Sequence, residues 1–520
     1  AFSQKHTSII TKIQVYIFCI NNFFCHLSKM PTKTYIQKIS TQTDSICVSD
    51  PIALQQTQSP FPKHNYQDTM KKYILAAAVA ASSFAAFAQD FDVDPTLKIS
   101  NNENKVNFTV GARFMADAAV FDTEATPLNS GASIADARIR TSMKYGENWY
   151  FYADFGFGAG KFSQKNIFLE YSKRDATQAS HAVKVGYYGD PAGSMSRQTS
   201  LGGCHFISRP GSAETLGLGR ELGVSYKYSA SNVFLYQGVF TENQYNKIDA
   251  DYNGLSASGR WIYRHIDKSG GGHVGASARY AHLGGGEEYA SGNSTYTKKH
   301  LILSQALETY VDDNKAFVNC NLPWAHSVID FGGEALWFGA NYFVRGEYRH
   351  KIVTKKRDSQ KVYDAAREKG EDTWGSYDAW LAANPLRTNH FNGAYLEAGY
   401  KIFGGNYKYD MHDAVLGGMK DKSLEVVGRV SITNLNDIAS GEHYSAESGK
   451  YFPDGYDESK PYESASVGGG RIISATLGVN YAFNKYAQVM LHYTYSNLDK
   501  DALPGDSNFH QVQARVQFTF

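Results

Sequence analysis

The chain has 520 residues, of which 42% are apolar, 20% are charged and 14% are aromatic, with 52 Lys and Arg against 51 Asp and Glu. This near-zero charge balance excludes the strong basic excess typical of nucleic-acid-binding proteins, so we predict no nucleic-acid partner. The combination of 47 glycines with only 13 prolines excludes collagen-like and proline-rich disordered chains. The sequence also lacks any run of about 18 apolar residues that would form a membrane-spanning helix.

The first 88 residues differ from the rest of the chain. Residues 1–69 contain no glycine and no tryptophan, and we interpret them as an upstream extension outside the native protein. Residues 70–88 begin with Met70 and two lysines, continue with a short apolar stretch and end in an Ala-Phe-Ala site, which is the pattern of a secretory signal peptide. We therefore expect cleavage after Ala88, leaving residues 89–520 as a barrel domain in the cell outer membrane.

From residue 106 onward, apolar and polar residues alternate in long segments. In the first segment, Val106 and Phe108 share one face with Val120, whereas Asn107 and Thr109 lie on the other. Such alternation indicates a β-strand. Its extent, 106–120, exceeds the ~5–6 residues of ordinary strands and meets the ~9–11 residues that a membrane strand needs. The same pattern predicts sixteen strands, at 106–120, 135–144, 149–155, 166–172, 182–189, 220–229, 232–242, 254–265, 273–283, 327–338, 341–352, 391–403, 423–434, 471–483, 486–497 and 509–520.

The charged side chains of these strands all fall opposite the apolar face, as Arg113 and Asp117 do in the first strand. A lipid environment explains this segregation, because a Lys or Arg on the lipid face near the midplane costs ~2–4 kcal/mol. The strands of a soluble β-sandwich also alternate apolar and polar residues, so alternation alone does not distinguish it from a membrane barrel. The C-terminal strand provides further evidence. The last strand alternates up to Phe520 and resembles the closing strand that the barrel assembly machinery of the bacterial outer membrane reads. We predict an all-β fold, a transmembrane antiparallel β-barrel of 16 strands with long extracellular loops and surrounding outer-membrane lipid.

The predicted connections separate by length. Short turns at 146–148, 230–231, 339–340 and 484–485 share one end, and long segments at 190–218, 284–326, 355–389 and 437–470 share the other, as periplasmic turns and outer loops do in such barrels. The connection 404–422 falls at the short-turn end and is longer than this rule predicts. Residues 301–311 are assigned to a loop, because a further strand would break the parity. Residues 359–383 have a helical composition.

Three segments resemble the phosphate-selective porin O and P family of outer-membrane channels. They are 110–119 in the first strand, 331–339 followed by Gly346-Glu347-Tyr348 in the central hairpin, and 475–481 with the Asn484-Lys485 turn in the penultimate hairpin. The resemblance implies a homotrimer of sixteen-stranded barrels with loops folded inward. It also implies passive diffusion of small anions, with phosphate or polyphosphate as candidate solutes, through an eyelet formed by a loop and wall arginines.

Arginine suits such an eyelet, because its planar, permanently charged guanidinium binds phosphate through two hydrogen bonds. The resemblance implies that Arg113 and Arg138 are arginines of the eyelet. The chain departs from the family pattern at two positions: Asp136 stands where the family carries a further arginine, and Gly189 stands where it often carries a lysine. The segment 190–218 is the candidate constriction loop. The candidate anion-binding and pore-lining residues are Arg113, Arg138, Arg140, Arg197, Arg209 and Arg220.

The sequence gives less support to other functions. The arginines could simply be wall charges balanced by Asp117 and Asp136, which would make the barrel a general non-selective porin or a surface adhesin without a transport role. An outer-membrane enzyme would need a nucleophile or paired acids with a histidine at the rim, and we find no such set; we therefore predict no enzyme, no cofactor and no metal site. An energised receptor would need a plug domain, whereas only 89–104 precede the first strand of the expected mature chain.

Overall fold

The structure is a computed structural model that describes residues 95–520 apart from 104, 159–161, 242–253, 285–286, 292–293, most of 356–374, 384–385, 461 and 463. The predicted upstream extension and signal peptide lie outside the described residues. No helix among the residues described is long and apolar enough to cross a membrane.

Sixteen long strands account for most of the described chain. They are β1 Val106–Thr123, β2 Gly131–Tyr145, β3 Trp149–Gly156, β4 Ser163–Arg174, β5 Ser180–Gly189, β6 Arg220–Ser229, β7 Val233–Thr241, β8 Leu255–Ile266, β9 Gly271–His282, β10 Ala325–Phe338, β11 Tyr342–Lys355, β12 Asn389–Phe403, β13 Ser423–Asp437, β14 Val467–Ala482, β15 Ala487–Asp499 and β16 Asn508–Thr519.

Each strand pairs antiparallel with the next, and β1 also pairs with β16, so the sheet closes into a barrel. In the closing register Asp117 lies opposite Arg515. All sixteen predicted strands are confirmed, with ends that move by a few residues. Closure removes the unpaired strand edges that an open sheet would expose.

A short strand, Leu97–Asn101, precedes the barrel and pairs with β1. The sequence analysis did not predict it. It lies against the lower part of β1, from Val106 to Val110, and β16 pairs with β1 from Arg113 onward. The two segments therefore meet near Gly111, where an added Cβ would lie 2.3 Å from the main-chain oxygen of Phe520. Only glycine permits this close approach.

The two faces of the barrel wall differ in polarity as predicted. In β12, Leu396 is 58% exposed on the outer face, and the adjacent Glu397 is 1% exposed on the inner face. This pattern repeats around the barrel, because lipid solvates apolar side chains and does not solvate charge.

Replacing Leu396 by Arg should therefore destabilise the folded barrel in a bilayer by about 2–4 kcal/mol, because Leu396 lies midway along β12. Chemical unfolding in lipid vesicles measures this change. The matched control is Ser172→Arg, which adds the same side chain where it faces the water-filled interior. Equal losses for both variants would contradict the assignment of the two faces.

The connections follow the predicted ends of the barrel. Residues 301–311 do not join the barrel: Leu301–Gln305 pairs with Val318–Leu322 as a separate hairpin within loop 5 (residues 283–324). A helix, α3, spans Tyr377–Ala383 in the segment of helical composition. The long connection 404–422, called turn 6 here, lies at the same end as the short turns, between β12 and β13.

Candidate functional site

Loop 3 (residues 190–219) folds into the barrel. It contains two short helices, α1 Met195–Gln198 and α2 Gly211–Thr215, and most of its residues are buried. Its main chain is held by wall residues: Met195 N donates to Glu347 Oε2 at 3.0 Å, and Arg349 Nη2 donates to the Ala192 oxygen at 2.7 Å. The loop therefore lies across the lumen, as predicted for 190–218.

Loop 5 fixes loop 3 from the long-loop end through Glu308. Its Oε1 accepts from Gly211 N at 2.8 Å, and its other carboxylate oxygen pairs with Arg429 on β13. Ser431 Oγ adds a donor to Oε1 at 2.5 Å. Both Glu308 and Arg429 have buried side chains. A buried ion pair of this kind depends on such added hydrogen bonds, so these contacts define one position for loop 3.

Turn 6 also folds into the lumen, which explains its length. Arg260 on β8 donates to the main-chain oxygens of Asp413 and Ala414, each at 2.9 Å, and Arg264 donates to the Met411 oxygen at 2.9 Å. These two wall arginines therefore hold turn 6 in the lumen. The sequence analysis noted the length of this segment but did not predict its inward fold.

His412 of turn 6 contacts the opposite wall. Its Nε2 lies 3.2 Å from Glu170 Oε1, its Nδ1 lies 3.0 Å from Asp413 Oδ1, and Lys227 Nζ lies 2.9 Å from both ring nitrogens. Burial lowers the pKa of His412, but the hydrogen bonds to Asp413 and Glu170 outweigh it and raise the pKa to about 9. The two carboxylates therefore favour the protonated imidazole, against the opposing charge of Lys227.

We expect the attachment of turn 6 to weaken as the pH rises through about 9. The pKa of His412 is above its ordinary value of 6.5, so its stabilising contribution is complete below that value and is lost as the folded protein deprotonates. Single-channel recordings from pH 7 to 10 should show larger or noisier currents at high pH. His412→Gln removes the titrating imidazole, so an identical pH response in this variant would contradict the expectation.

Between loop 3, turn 6 and the wall from β1 to β7 there remains a cavity of about 760 Å³. It extends from the first short turn, at Glu147 and Asn148, to loop 3 at Leu218. Its lining includes eight Lys or Arg residues against five Asp or Glu residues. The eight cations are Arg113, Arg138, Arg140, Lys144, Lys184, Arg197, Arg209 and Arg220.

All six predicted pore-lining arginines surround this one cavity. On the wall, Arg113 pairs with Asp136 and donates to Ser200 Oγ of loop 3 at 2.9 Å. Arg138 Nη1 contacts Asp154 Oδ2 at 2.6 Å and Nη2 contacts Asp136 Oδ1 at 3.3 Å. These two arginines are thus partly neutralised, as the wall-charge interpretation expects.

The two loop arginines face the same cavity from loop 3. Arg197 Nη2 lies 3.1 Å from Glu214, and its Nε donates to the Ala213 oxygen at 3.0 Å. Arg209 donates to the Ser196 and Thr199 oxygens at 3.0 and 2.9 Å. Their hydrogen bonds therefore also stabilise the turn of chain between α1 and α2.

Three other cations of the cavity have fewer protein partners. Arg140 Nη2 donates to the main-chain oxygen of Phe520 at 2.7 Å, and Arg220 Nε donates to Asn166 Oδ1 at 2.8 Å. Among the residues described, no Asp or Glu carboxylate lies within 4.0 Å of the side-chain nitrogens of Arg140, Lys144 or Arg220. These side chains present positive charge to the cavity, and anions are the solutes that such charge attracts.

Sequence reasoning missed Lys144 and the aromatic side chains of the cavity. Lys144 was placed on the inner face but was not selected. Tyr150, Tyr152 and Phe168 line the cavity. Strand alternation was the available signal, because Tyr150 and Tyr152 share the face of Asp154, whose carboxylate is buried.

Comparison with known proteins gives one family. The model of the phosphate-selective porin O and P family matches residues 108–520. No curated protein sequence matches the chain.

Several solved porin structures match the chain at low identity. An anion-selective porin from Comamonas acidovorans is 11% identical, with 80% of this chain and 100% of that chain covered and a TM-score of 0.45. The outer-membrane channel DcaP of Acinetobacter baumannii is 9% identical over 81% and 99%, with a TM-score of 0.43. OmpT of Vibrio cholerae in its trimer form is 9% identical over 80% and 99%, also with a TM-score of 0.43.

Proposed function

Because the chain belongs to the phosphate-selective porin O and P family and is an outer-membrane porin, we propose that it is a passive diffusion channel for small anions, with phosphate or polyphosphate among its solutes. The observation that carries the proposal is the excess of cations around the cavity, three of which have no carboxylate partner among the described residues. Elsewhere in the lumen, Arg345 pairs with Glu397 at 2.6 Å and Arg515 with Asp117 at 2.7 Å, whereas Arg264 donates to the main-chain oxygens of Met411 and Ala230.

The placement of these cations supports repeated weak binding. Arg138, Arg140 and Lys144 lie along β2 at alternate positions of its inner face, and Arg113 lies opposite Arg138 in the register. Successive residues of a strand advance by about 3.3 Å, so Arg138 and Lys144 are about 20 Å apart along the wall. An anion that leaves one guanidinium therefore meets the next, and several moderate sites permit conduction better than one tight site.

Phosphate titrated into chloride tests the proposal in single-channel recordings from the refolded protein. We expect phosphate to reduce the chloride current, with less reduction in Arg113→Ala or Arg138→Ala. A current that phosphate leaves unchanged in every variant would overturn phosphate as a solute. A properly folded barrel without any conductance would overturn the channel itself and favour an adhesin.

A general non-selective porin is the second candidate, and Asp136 favours it. This single carboxylate contacts both Arg113 and Arg138, so it removes part of the positive field where the family carries arginine. A channel with equal chloride and potassium permeability is the result this candidate predicts.

We also propose that the native assembly is a homotrimer in outer-membrane lipid, folded there by the barrel assembly machinery through β16 and Phe520. The outer face of β1 carries Ala112, Ala116 and Ala118, and such small side chains allow neighbouring barrels to approach closely. Chemical cross-linking in native membranes tests the trimer, and a product of monomer size alone would contradict it. N-terminal sequencing of the same material tests cleavage after Ala88.

A further inference from the structure

We propose that the preferred solutes are ring-bearing organic anions, in which a phosphate or carboxylate is joined to an aromatic or sugar ring, rather than bare inorganic anions. This inference rests on the proposed anion channel and specifies its substrate class. The juxtaposition of an aromatic surface with the cations of β2 carries it.

The aromatic surface consists of Tyr150 and Tyr152 on β3 and Phe168 on β4. All three side chains are half-buried and line the cavity. The Tyr152 and Phe168 rings are stacked at 5.4 Å between centroids, and Tyr150 lies 6.2 Å from Tyr152 and 6.1 Å from Phe168. The rings thus form one continuous aromatic patch, which Phe168 extends to Tyr188 of the same cavity at 5.9 Å between centroids.

Local backbone features favour this patch. Phe168 lies opposite Gly186 in the register. An added Cβ at Gly186 would lie 2.9 Å from Phe168 Cβ, and the φ of Gly186 is +143°. A larger residue at this position would displace the Phe168 ring, so the glycine keeps the ring in place.

The cations lie one strand away from the rings. In the β2–β3 register, Lys144 is opposite Tyr150, Ser142 is opposite Tyr152, and Arg140 is opposite Asp154. Neighbouring strands are about 4.8 Å apart. A solute whose anionic group contacts Arg140 or Lys144 therefore places an attached ring on Tyr150 and Tyr152.

The position of these rings excludes a role in the interfacial girdle. Phe151 of the same strand points outward and is 36% exposed, as girdle residues are. Inorganic anions need hydrogen-bond donors and gain little from aromatic faces, whereas a ring stacks on them. A support role is the competing explanation, because Lys184 Nζ lies 4.4 Å from the Phe168 centroid. Tyr150 and Tyr152 make no such cation contact among the residues described.

Inhibition of the chloride current in planar bilayers tests the proposal with three probes: inorganic phosphate, phenyl phosphate and glucose 6-phosphate. We expect the half-inhibiting concentration of phenyl phosphate or of glucose 6-phosphate to be at least about fivefold below that of phosphate, as expected for one stacked ring. Inhibition by phenyl phosphate alone identifies an aromatic ring as the recognised group, and inhibition by both identifies rings in general.

The double variant Tyr150→Leu/Tyr152→Leu keeps apolar volume and removes the two rings that contact no cation among the residues described. It should lose the preference for ring-bearing probes while phosphate inhibits it as before. Phe151→Leu is the matched control, because it removes an outward-facing ring from the same strand and should retain the preference.

Two outcomes would overturn the inference in distinguishable ways. Equal half-inhibiting concentrations for all three probes, or an unchanged preference in the double variant, would reject ring recognition and leave the anion channel intact. A current that no anionic probe reduces, with cations as the main charge carriers, would reject the proposed function together with this inference.

Discussion

Shortening loop 3 should increase the single-channel conductance several-fold. A sixteen-stranded barrel is wide enough for an aqueous channel, and here loop 3 lies across the lumen with hydrogen bonds to β1, β11, β13 and β14. Removing residues 194–216 and joining the ends with a short glycine linker takes away α1, α2 and the contacts of Arg197 and Arg209.

The control for this prediction is a deletion that leaves the lumen unchanged. Removing residues 446–449, at the tip of the hairpin of Glu442–Ser445 and Lys450–Pro453, shortens an exposed connection instead. We expect the barrel to fold in both cases, since neither deletion touches the sixteen strands. We expect only the deletion in loop 3 to raise the conductance. An unchanged conductance without loop 3 would show that turn 6 or another segment limits the current.

Neutralising Arg138, Arg140 and Lys144 together should abolish the preference for anions. The cavity lining has eight cationic and five acidic residues, so three Gln substitutions remove the excess. A unit charge about 4 Å from the permeating ion contributes about 1 kcal/mol in water and more in a narrow site, so we expect the anion-to-cation permeability ratio to fall by about tenfold. Bi-ionic reversal potentials measure this ratio.

A companion variant should act in the opposite direction. Asp136→Asn removes the carboxylate that contacts Arg113 and Arg138, so both guanidinium groups gain attraction for anions and the ratio should rise. Its side chain keeps nearly the same shape, which preserves the packing beside Ser200. If both substitutions changed the ratio in the same direction, the electrostatic explanation would be wrong.

The sequence was sufficient to predict the barrel because one physical rule governs every wall strand. Lipid on one side and water or protein on the other require alternation, and this requirement can be read in β12 from Leu396 and Glu397 without any tertiary information. The parity of sixteen strands then assigned 301–311 to a loop, and its residues Leu301–Gln305 form a hairpin that is not part of the barrel sheet.

The site was predicted in part for the same reason. Arg113, Arg138 and Arg140 were identified because strand alternation places them inward. Arg197 and Arg209 were identified as the cations of the expected constriction loop. The bonds that Arg260 makes to turn 6 and Arg429 makes to loop 5 were not predictable, because they join residues more than one hundred positions apart in the chain. The conformation of a loop leaves no periodic pattern in the sequence. Only the structure therefore shows which cations hold a loop or turn in place and which have no acidic partner.

The zero-current potential of the native channel across a KCl gradient tests the central claim most directly. Arg140, Lys144 and Arg220 have no Asp or Glu partner among the described residues. Their charges predict a potential whose sign shows chloride as the more permeant ion, with a smaller magnitude as the salt concentration rises and screening shortens the reach of each charge. A potential of the opposite sign, with potassium more permeant, would contradict the account.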